Sequence, residues 1–257
     1  MNKLLRAAVL MVLVFGRAPV QAAPITQLKD AEVRDTAQSE ENRKTFRHSL
    51  SGLYAIENFN SQPVQPYQDF DILYSKSHQA QFELENLCKE TALLSNTSTC
   101  FAGIKSEQRA LEKVTTELNG DASKITDIAR ATIIADDVSQ LMMAYEVLQR
   151  ESTIVKVKNR FKTPANSGYR DINMLVKLPK TNIIAEVQLH LREIAKVKSG
   201  PEHDIYEIVQ GIERKAASEQ RIVSDFEAAQ INNLQIQSQH LYQQAWQQYL
   251  TPVRQAA

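Results

Sequence analysis

Residues 168–190 read GYRDINMLVKLPKTNIIAEVQLH. Polar and apolar residues alternate on both sides of a short break at Pro179-Lys180. Such alternation sends successive side chains to opposite faces of a strand. In the first half Ile172, Met174, Val176 and Leu178 share a face, and Tyr169, Asp171 and Asn173 take the other. In the second half Ile183, Ala185, Val187 and Leu189 are the apolar set, opposed by Glu186, Gln188 and His190. One core requires both apolar sets on one side, and the register then gathers the polar sets too. A four-residue loop centred between Pro179 and Lys180 does this. It pairs Asn173 with Glu186, Asp171 with Gln188 and Tyr169 with His190. A half-buried hairpin with one wet side is the commoner use of this pattern. Residue choice sets this hairpin apart: its polar face gathers an aromatic, two carboxylates, two amides and an imidazole.

Before the hairpin, 153–161 alternates as well, with Val155 and Val157 on one face and Lys156, Lys158 and Arg160 on the other. This is a strand with a basic face, followed by a loop at 163–168. Residues 128–135 are a short isoleucine-rich run that reads as a buried strand. Asp136 or Asp137 can cap a helix over about 138–150. A helix is expected over 104–118, with Ile104, Leu111, Val114 and Leu118 on one face and Asn119-Gly120-Asp121 ending it. Another is expected over 69–94, where Ala80, Leu84, Leu87, Thr91 and Leu94 keep helical spacing. Residues 57–69 read as a loop. After the hairpin, 191–198 is helical and Ser199-Gly200-Pro201 breaks it. A glutamine-rich helical tail then runs over 203–250, with Ile231, Leu234, Leu241 and Ala245 as a packing seam that could support self-association. The order is helices, then β-α-β-β-β, then helices: an α+β domain over 69–250 with a small sheet and a long C-terminal helix.

The chain has 257 residues and only seven glycines. It is long enough to bury a sizeable core, and the scarcity of glycine favours helices. Residues 1–22 read apart from this fold. Lys3 and Arg6 precede an apolar run of about nine residues, 7–15, and Val20-Gln21-Ala22 places small side chains for cleavage after Ala22. This is the pattern of a signal peptide, too short to span a bilayer. The expected organisation is a signal peptide at 1–22, a polar leader at 23–68, the domain at 69–250 and a tail at 251–257. Cleavage removes three basic residues and no acid, leaving 27 basic against 30 acidic. No global basic field remains to hold nucleic acid. No later run is long and apolar enough for stable membrane insertion. An exported chain with two cysteines, Cys88 and Cys100, is expected to join them in a disulfide.

The stretch 103–207 resembles the synthetase domain of the RelA/SpoT family, which makes (p)ppGpp alarmone nucleotides. Ile104-Lys105-Ser106 with Arg109 and Lys113 resembles its basic ATP-phosphate helix. Asp127-Ile128-Ala129-Arg130 resembles the segment opening its first strand, with a metal-binding aspartate. Gly168-Tyr169 resembles the start of its G-Y-x-S-x-H strand, and Glu186-Val187-Gln188 its E-V-Q-I-R-T strand. The four motifs occur in the family's order. The resemblance implies a nucleotidyltransferase-like mixed sheet flanked by helices. It implies Mg²⁺-dependent transfer of the β,γ-diphosphate of ATP to an acceptor hydroxyl. Asp127 and Glu186 would be the metal ligands, with Arg130 and Gln188 beside them at the catalytic centre. Lys105, Ser106, Arg109 and Lys113 would bind ATP, and Tyr169, Asp171, Asn173 and His190 would bind the acceptor, the tyrosine stacking on its base.

The departures fall mostly on the acceptor side. Asn173 stands where the family usually has histidine and His190 where it has arginine. Thr132 replaces an expected arginine, and Ala165 occupies a position where a lysine often precedes the tyrosine. The acceptor therefore need not be GTP or GDP; an adenosine nucleotide or a tRNA 3′ end is also open. Export points to a secreted toxin or effector, because the space outside a cell holds little ATP. Two other readings fit the same residues. One is a degenerate member that binds a nucleotide or polyanion without turnover. The other is a structural envelope protein that assembles through its glutamine-rich helix.

Overall fold

The computed structural model describes residues 40–250. The chain divides into two units, residues 1–44 and 45–257. In the first unit the described residues, 40–44, are helical. The expected signal peptide at 1–22, the leader residues 23–39 and the tail at 251–257 lie outside the described residues.

In the second unit the elements follow as α1 (Leu50–Ala55), α2 (Phe70–Ser75), α3 (Ser77–Ser95), β1 (Ser98–Cys100), α4 (Glu107–Glu117), a 3-10 turn (Ala122–Lys124), β2 (Arg130–Ala135), α5 (Val138–Glu151), β3 (Thr153–Asn159), β4 (Ile172–Lys177), β5 (Ile184–Leu191), α6 (Arg192–Lys198), α7 (Pro201–Ser218) and α8 (Asp225–Leu250). The fold is α+β: a small mixed sheet flanked by helices, with a long C-terminal helix.

The chemistry of the helix ends explains most boundaries. Asp69 caps α2 by accepting from the Ile72 N–H at 2.9 Å, and Asp137 caps α5 by accepting from the Gln140 N–H at 2.8 Å. Asn96 closes α3 in the left-handed conformation, φ 53°. The helix expected over 69–94 is two helices, α2 and α3, parted at Lys76. There the Ser75 hydroxyl donates to the Ile72 carbonyl and the Ser77 hydroxyl to the Tyr74 carbonyl, at 2.7 and 2.6 Å. Hydroxyls that bond nearby carbonyls compete with the helical ladder. The tail expected as one helix is also two, α7 and α8. Gln220 between them is left-handed, φ 53°. Ser224 and Glu227 then form a reciprocal cap at the start of α8: the Ser224 N–H donates to Glu227 Oε2 at 2.9 Å, and the Glu227 N–H to Ser224 Oγ at 3.4 Å.

The sheet runs β1-β2-β5-β4-β3. Only β2 and β5 pair in parallel; the other neighbours are antiparallel. Short β1 was absent from the sequence expectation. The β4–β5 hairpin turns through a four-residue loop, 179–182, with Asn182 left-handed at φ 58°. Its centre lies one residue later than expected. Asn173 therefore opposes Gln188, and Leu175 opposes Glu186. A slip of two residues preserves parity, so each apolar and polar set keeps its face.

One face of the sheet is the core face. Ala131, Ile133, Met174, Ala185, Val187 and Leu189 are buried there. Helices α3 and α5 pack on the sheet, and their inward residues Leu84, Cys88, Leu141 and Leu148 join the same cluster. The other face carries Lys156, Lys158, Asn173, Glu186, Gln188, Arg130 and Thr132, aligned by the strand registers. The seam of α8 is deeper than expected: Ser238, Tyr242 and Trp246 are buried along with Ala245.

Two glutamines act as short substitutes for strand. Gln81 on α3 accepts from the Arg130 N–H and donates to the Arg130 carbonyl, at 3.0 and 3.1 Å. Gln65 does the same for Ile184 at 2.8 Å each way, and also donates to the Ile125 carbonyl at 2.8 Å. They satisfy backbone groups at the starts of β2 and β5, where a lost partner costs roughly 1–3 kcal/mol.

The expected Cys88–Cys100 disulfide is not formed; both are free thiols. Cys88 points from α3 into the core. Cys100 lies opposite Thr132 in β1, and that register position belongs to the polar face. The sheet itself separates the two sulfurs. Burial, helped by the Glu85 carboxylate, pushes the Cys88 thiol up to about 12, and such a thiol is unreactive at neutral pH. Native protein assayed without reductant is therefore expected to react at one thiol, Cys100, and to reveal the second only in denaturant. No reactive thiol in either state would show the disulfide instead.

Candidate active site

Along β5 the polar face divides into three regions. At the first, the Lys105 N–H donates to the Ile128 carbonyl at 3.0 Å, tying the approach to α4 to the approach to β2. Lys105 Nζ and Lys113 Nζ converge on one oxygen of Asp127, Oδ2, at 2.8 and 3.0 Å. The expected stripe of three cations on one helix is altered, because α4 begins only at Glu107 and Lys105 precedes it. Ser106 is the N-cap residue, but its side chain makes no capping bond. Arg109 is exposed. Burial would raise the Asp127 carboxyl, but hydrogen bonds and charge from the two lysines overcome it and hold it below the usual range. The other oxygen, Oδ1, is buried and has no hydrogen-bond partner.

In the middle region, the parallel register sets Arg130 directly beside Glu186. The Glu186 N–H donates to the Ala129 carbonyl at 3.0 Å, locking that alignment. Asn173 Nδ2 donates to Glu186 Oε1 at 2.6 Å from across the β4–β5 pair. Arg130 Nε is buried without an acceptor.

The third region is built around Asp171, whose side chain is fully buried. Arg160 grips it with two bonds, Nε to Oδ1 at 2.6 Å and Nη2 to Oδ2 at 2.8 Å. Removing one partner of such a buried pair costs about 3–5 kcal/mol. The Tyr169 hydroxyl donates to Asp171 Oδ2 at 2.8 Å and lies 2.5 Å from His190 Nε2. Arg160 and Lys198 sit over the Tyr169 ring, 5.1 and 5.4 Å from its centroid. Tyr242 of α8 meets the ring edge-on at 5.6 Å. Gly168 has φ +82°, and a Cβ there would come within 3.1 Å of the Gln239 backbone on α8. Conformation and the closeness of α8 both require glycine. Lys198, the last residue of α6, donates to Gln188 Oε1 at 2.7 Å.

The structure thus gathers Lys105, Lys113 and Asp127 at one end, Arg130, Glu186 and Asn173 in the middle, and Gln188 and Tyr169 at the other end. Asp171 and His190, expected to touch the acceptor, are buried behind Tyr169 and hold it in place. Sequence reasoning missed Arg160 and Lys198 as members of this site, and Gln65 and Gln81 as its supports. Arg160 had one signal, its place at the end of a strand with a basic face. Lys198 had none, because it arrives from the far end of α6.

Residues 103–207 match the family described as the region found in RelA / SpoT proteins. This stretch resembles a RelA/SpoT domain and makes up under half of the chain. Over 129 residues the chain is 30% identical to the (p)ppApp synthetase toxin Tas1 of Pseudomonas aeruginosa, an alignment covering 50% of this chain and 28% of that protein. The chain thus spans under a third of that relative's length. Among solved structures, the Type VI effector Tas1 in complex with its immunity protein is 23% identical, with 69% of this chain and 96% of that chain covered and a TM-score of 0.49. The small alarmone synthetase 1 of Bacillus subtilis, bound to its product pppGpp, is 14% identical, with 74% and 100% covered and a TM-score of 0.48. No helix among the described residues is long and apolar enough to cross a membrane.

Burial, and then the positive charges of Lys198 and Arg160, push the His190 imidazole well below its ordinary value. The native ring stays neutral while the unfolded chain takes up a proton below about pH 6.5. Stability contributed at His190 is therefore present above that pH and lost as pH falls. The unfolding free energy from urea titrations should drop between pH 7 and 5. In His190→Gln the drop should be shallower by at most about 1.4 kcal/mol per pH unit. Parallel profiles for the two proteins would show that His190 is not the group responsible.

Proposed function

We propose that the protein is a diphosphotransferase that moves the β,γ-diphosphate of ATP onto a hydroxyl of an acceptor nucleotide. The observation that carries this reading is the parallel register of β2 and β5. It aligns Arg130 with Glu186 and leaves the Asp127–Lys105–Lys113 cluster at one end and Tyr169 at the other. A donor end rich in cations and an acceptor end with an aromatic ring flank one carboxylate.

The residues fit a magnesium ion. Asp127 Oδ1 is a buried carboxylate oxygen with no partner, and Glu186 is half-buried on the same sheet face. Among the described residues no group of three or more carboxylate, imidazole or thiol side chains gathers to hold a metal. Mg²⁺ commonly takes only one or two carboxylates and completes its shell with water and substrate phosphates. Asp127 and Glu186 would hold it, and when bound it neutralises charge on the transferring phosphates. Lys105 and Lys113 would exchange Asp127 for the triphosphate as ATP arrives. The acceptor hydroxyl oxygen bonds to the β-phosphorus, and the bond from that phosphorus to the α–β bridging oxygen breaks. AMP departs with that oxygen. The hydroxyl proton is released, with Glu186 the carboxylate placed to accept it. Catalysis of this kind is mostly positioning and electrostatic stabilisation.

We infer an adenosine nucleotide as the acceptor. The acceptor-side positions depart from the guanosine-using pattern, and the relative with 30% identity is named a (p)ppApp synthetase. That relative is also named a toxin, and residues 1–22 have the pattern of a signal peptide, so an exported toxin is the role we propose. Labelled ATP with Mg²⁺ and each of ADP, ATP, GDP, GTP or bulk tRNA, separated by thin-layer chromatography, should give AMP and a diphosphorylated adenosine nucleotide. Glu186→Gln should lower the rate at least about a hundredfold. No AMP with any acceptor would sink the proposal; product with guanosine nucleotides alone would sink only the choice of acceptor. For export, protein recovered outside the producing cell should begin at Ala23. Material that retains Met1 would refute it.

A further inference from the structure

Lys198 lies outside every motif and is not used in the chemistry above. Its ammonium has three N–H donors. One goes to a neutral amide oxygen, Gln188 Oε1, at 2.7 Å. Among the described residues Lys198 forms no ion pair with a carboxylate, and it is half-buried. The nearby carboxylates are already engaged: both oxygens of Asp171 are held by Arg160, and one also by Tyr169. Glu186 Oε1 is held by Asn173. On the same face, Arg130 Nε is buried and lacks any acceptor. A half-buried cation that must share its neighbouring carboxylates with other cations is costly to keep in place. Lys198, Arg130 and Arg160 together face two carboxylates, Asp171 and Glu186, and the surplus positive charge marks a place where an anion is wanted.

The position of Lys198 says which anion. Moving along β5 from the Asp127 end, Glu186 comes first and Gln188 second. Lys198 bonds Gln188 and also lies over the Tyr169 ring. It therefore stands on the far side of Glu186 from Asp127, Lys105 and Lys113. An anion held there belongs to the molecule resting against Tyr169, not to the ATP triphosphate.

We propose that Lys198 is a phosphate ligand for the acceptor, so that the site takes a nucleoside phosphate and discriminates against the bare nucleoside. The inference rests on reading this face as a nucleotide site. A charge-assisted hydrogen bond to phosphate is the interaction at stake, and its loss costs about tenfold or more in affinity. The test is calorimetric binding of ADP and of adenosine to the full chain, with Mg²⁺, for wild type, Lys198→Met and Lys198→Arg. Steady-state KM values for the acceptor and for ATP are measured in parallel. Lys198→Met should weaken ADP binding and raise the acceptor KM at least about tenfold, with adenosine affinity and the KM for ATP unchanged. Lys198→Arg should restore most of the loss. Equal losses for ADP and adenosine, or no loss at all, would overturn the assignment and leave the nucleotide-site reading standing. Wild-type protein that binds no nucleotide would overturn both. If Lys198→Met does not fold, Lys198→Gln carries the same comparison.

Discussion

The parallel pairing of β2 with β5 sets Arg130 beside Glu186 and fixes the polar face of the sheet. The two strands are far apart in sequence, and every other neighbouring pair in the sheet is antiparallel. Without this pairing, Asp127 and Arg130 would have no fixed relation to Glu186. The structure supports it at its weakest point, the strand starts, where backbone groups lack sheet partners. Gln81 closes on Arg130 and Gln65 on Ile184. Because a buried amide or carbonyl without a partner is costly, each glutamine holds its strand start in one position. The pairing also divides the molecule's work between the two faces of the sheet. One face is closed by α3 and α5, and the other is left polar.

A second anchor stands at the opposite end of that polar face. Asp171 is a charge in a place that would not tolerate it alone, and the paired Arg160 makes it tolerable. Tyr169 and His190 complete the arrangement, so the tyrosine ring is held by its hydroxyl while its faces remain the business of cations and ligands. Helix α8 presses on this group from outside through Tyr242, and Gly168 is the only residue type that lets it come so close. Trp246 extends the contact to Phe161 at 5.3 Å and to the Arg170 guanidinium at 5.3 Å. The C-terminal helix thereby reaches the candidate site through packing contacts. Deep burial of its Tyr242 and Trp246 accounts for that face of α8 within the domain itself.

The hairpin at 168–190 was legible because its period of two is a local property, and the sorting of its faces survived an error in its register. The loop centre moved by one residue, every pair moved by two, and the parity of the strand protected the conclusion. Asp137 and the Asn119-Gly120 stop were legible for the same reason: caps act within a few residues. Lys76 and the 219–224 break were missed, since single hydroxyls and one left-handed glutamine interrupt helices whose apolar spacing continues through them. The disulfide failed on a tertiary fact, a sheet standing between two cysteines close in sequence. The sequence grouped Asp171 and His190 with Tyr169 as ligand contacts, and in the structure both meet the tyrosine hydroxyl. Only burial shows that they serve the tyrosine.

Local periods and end signals are written into the chain, and they yield the strands, most helices and the α+β order. Its motif resemblance also marked Asp127, Glu186 and Tyr169. Which side chain meets which is settled by tertiary contacts alone. Lys105 and Lys113 turn to Asp127, Arg160 to Asp171, and Lys198 to Gln188 and Tyr169. The reason is physical: period and capping are set within a few residues, whereas burial and charge pairing depend on which distant segments the core brings together.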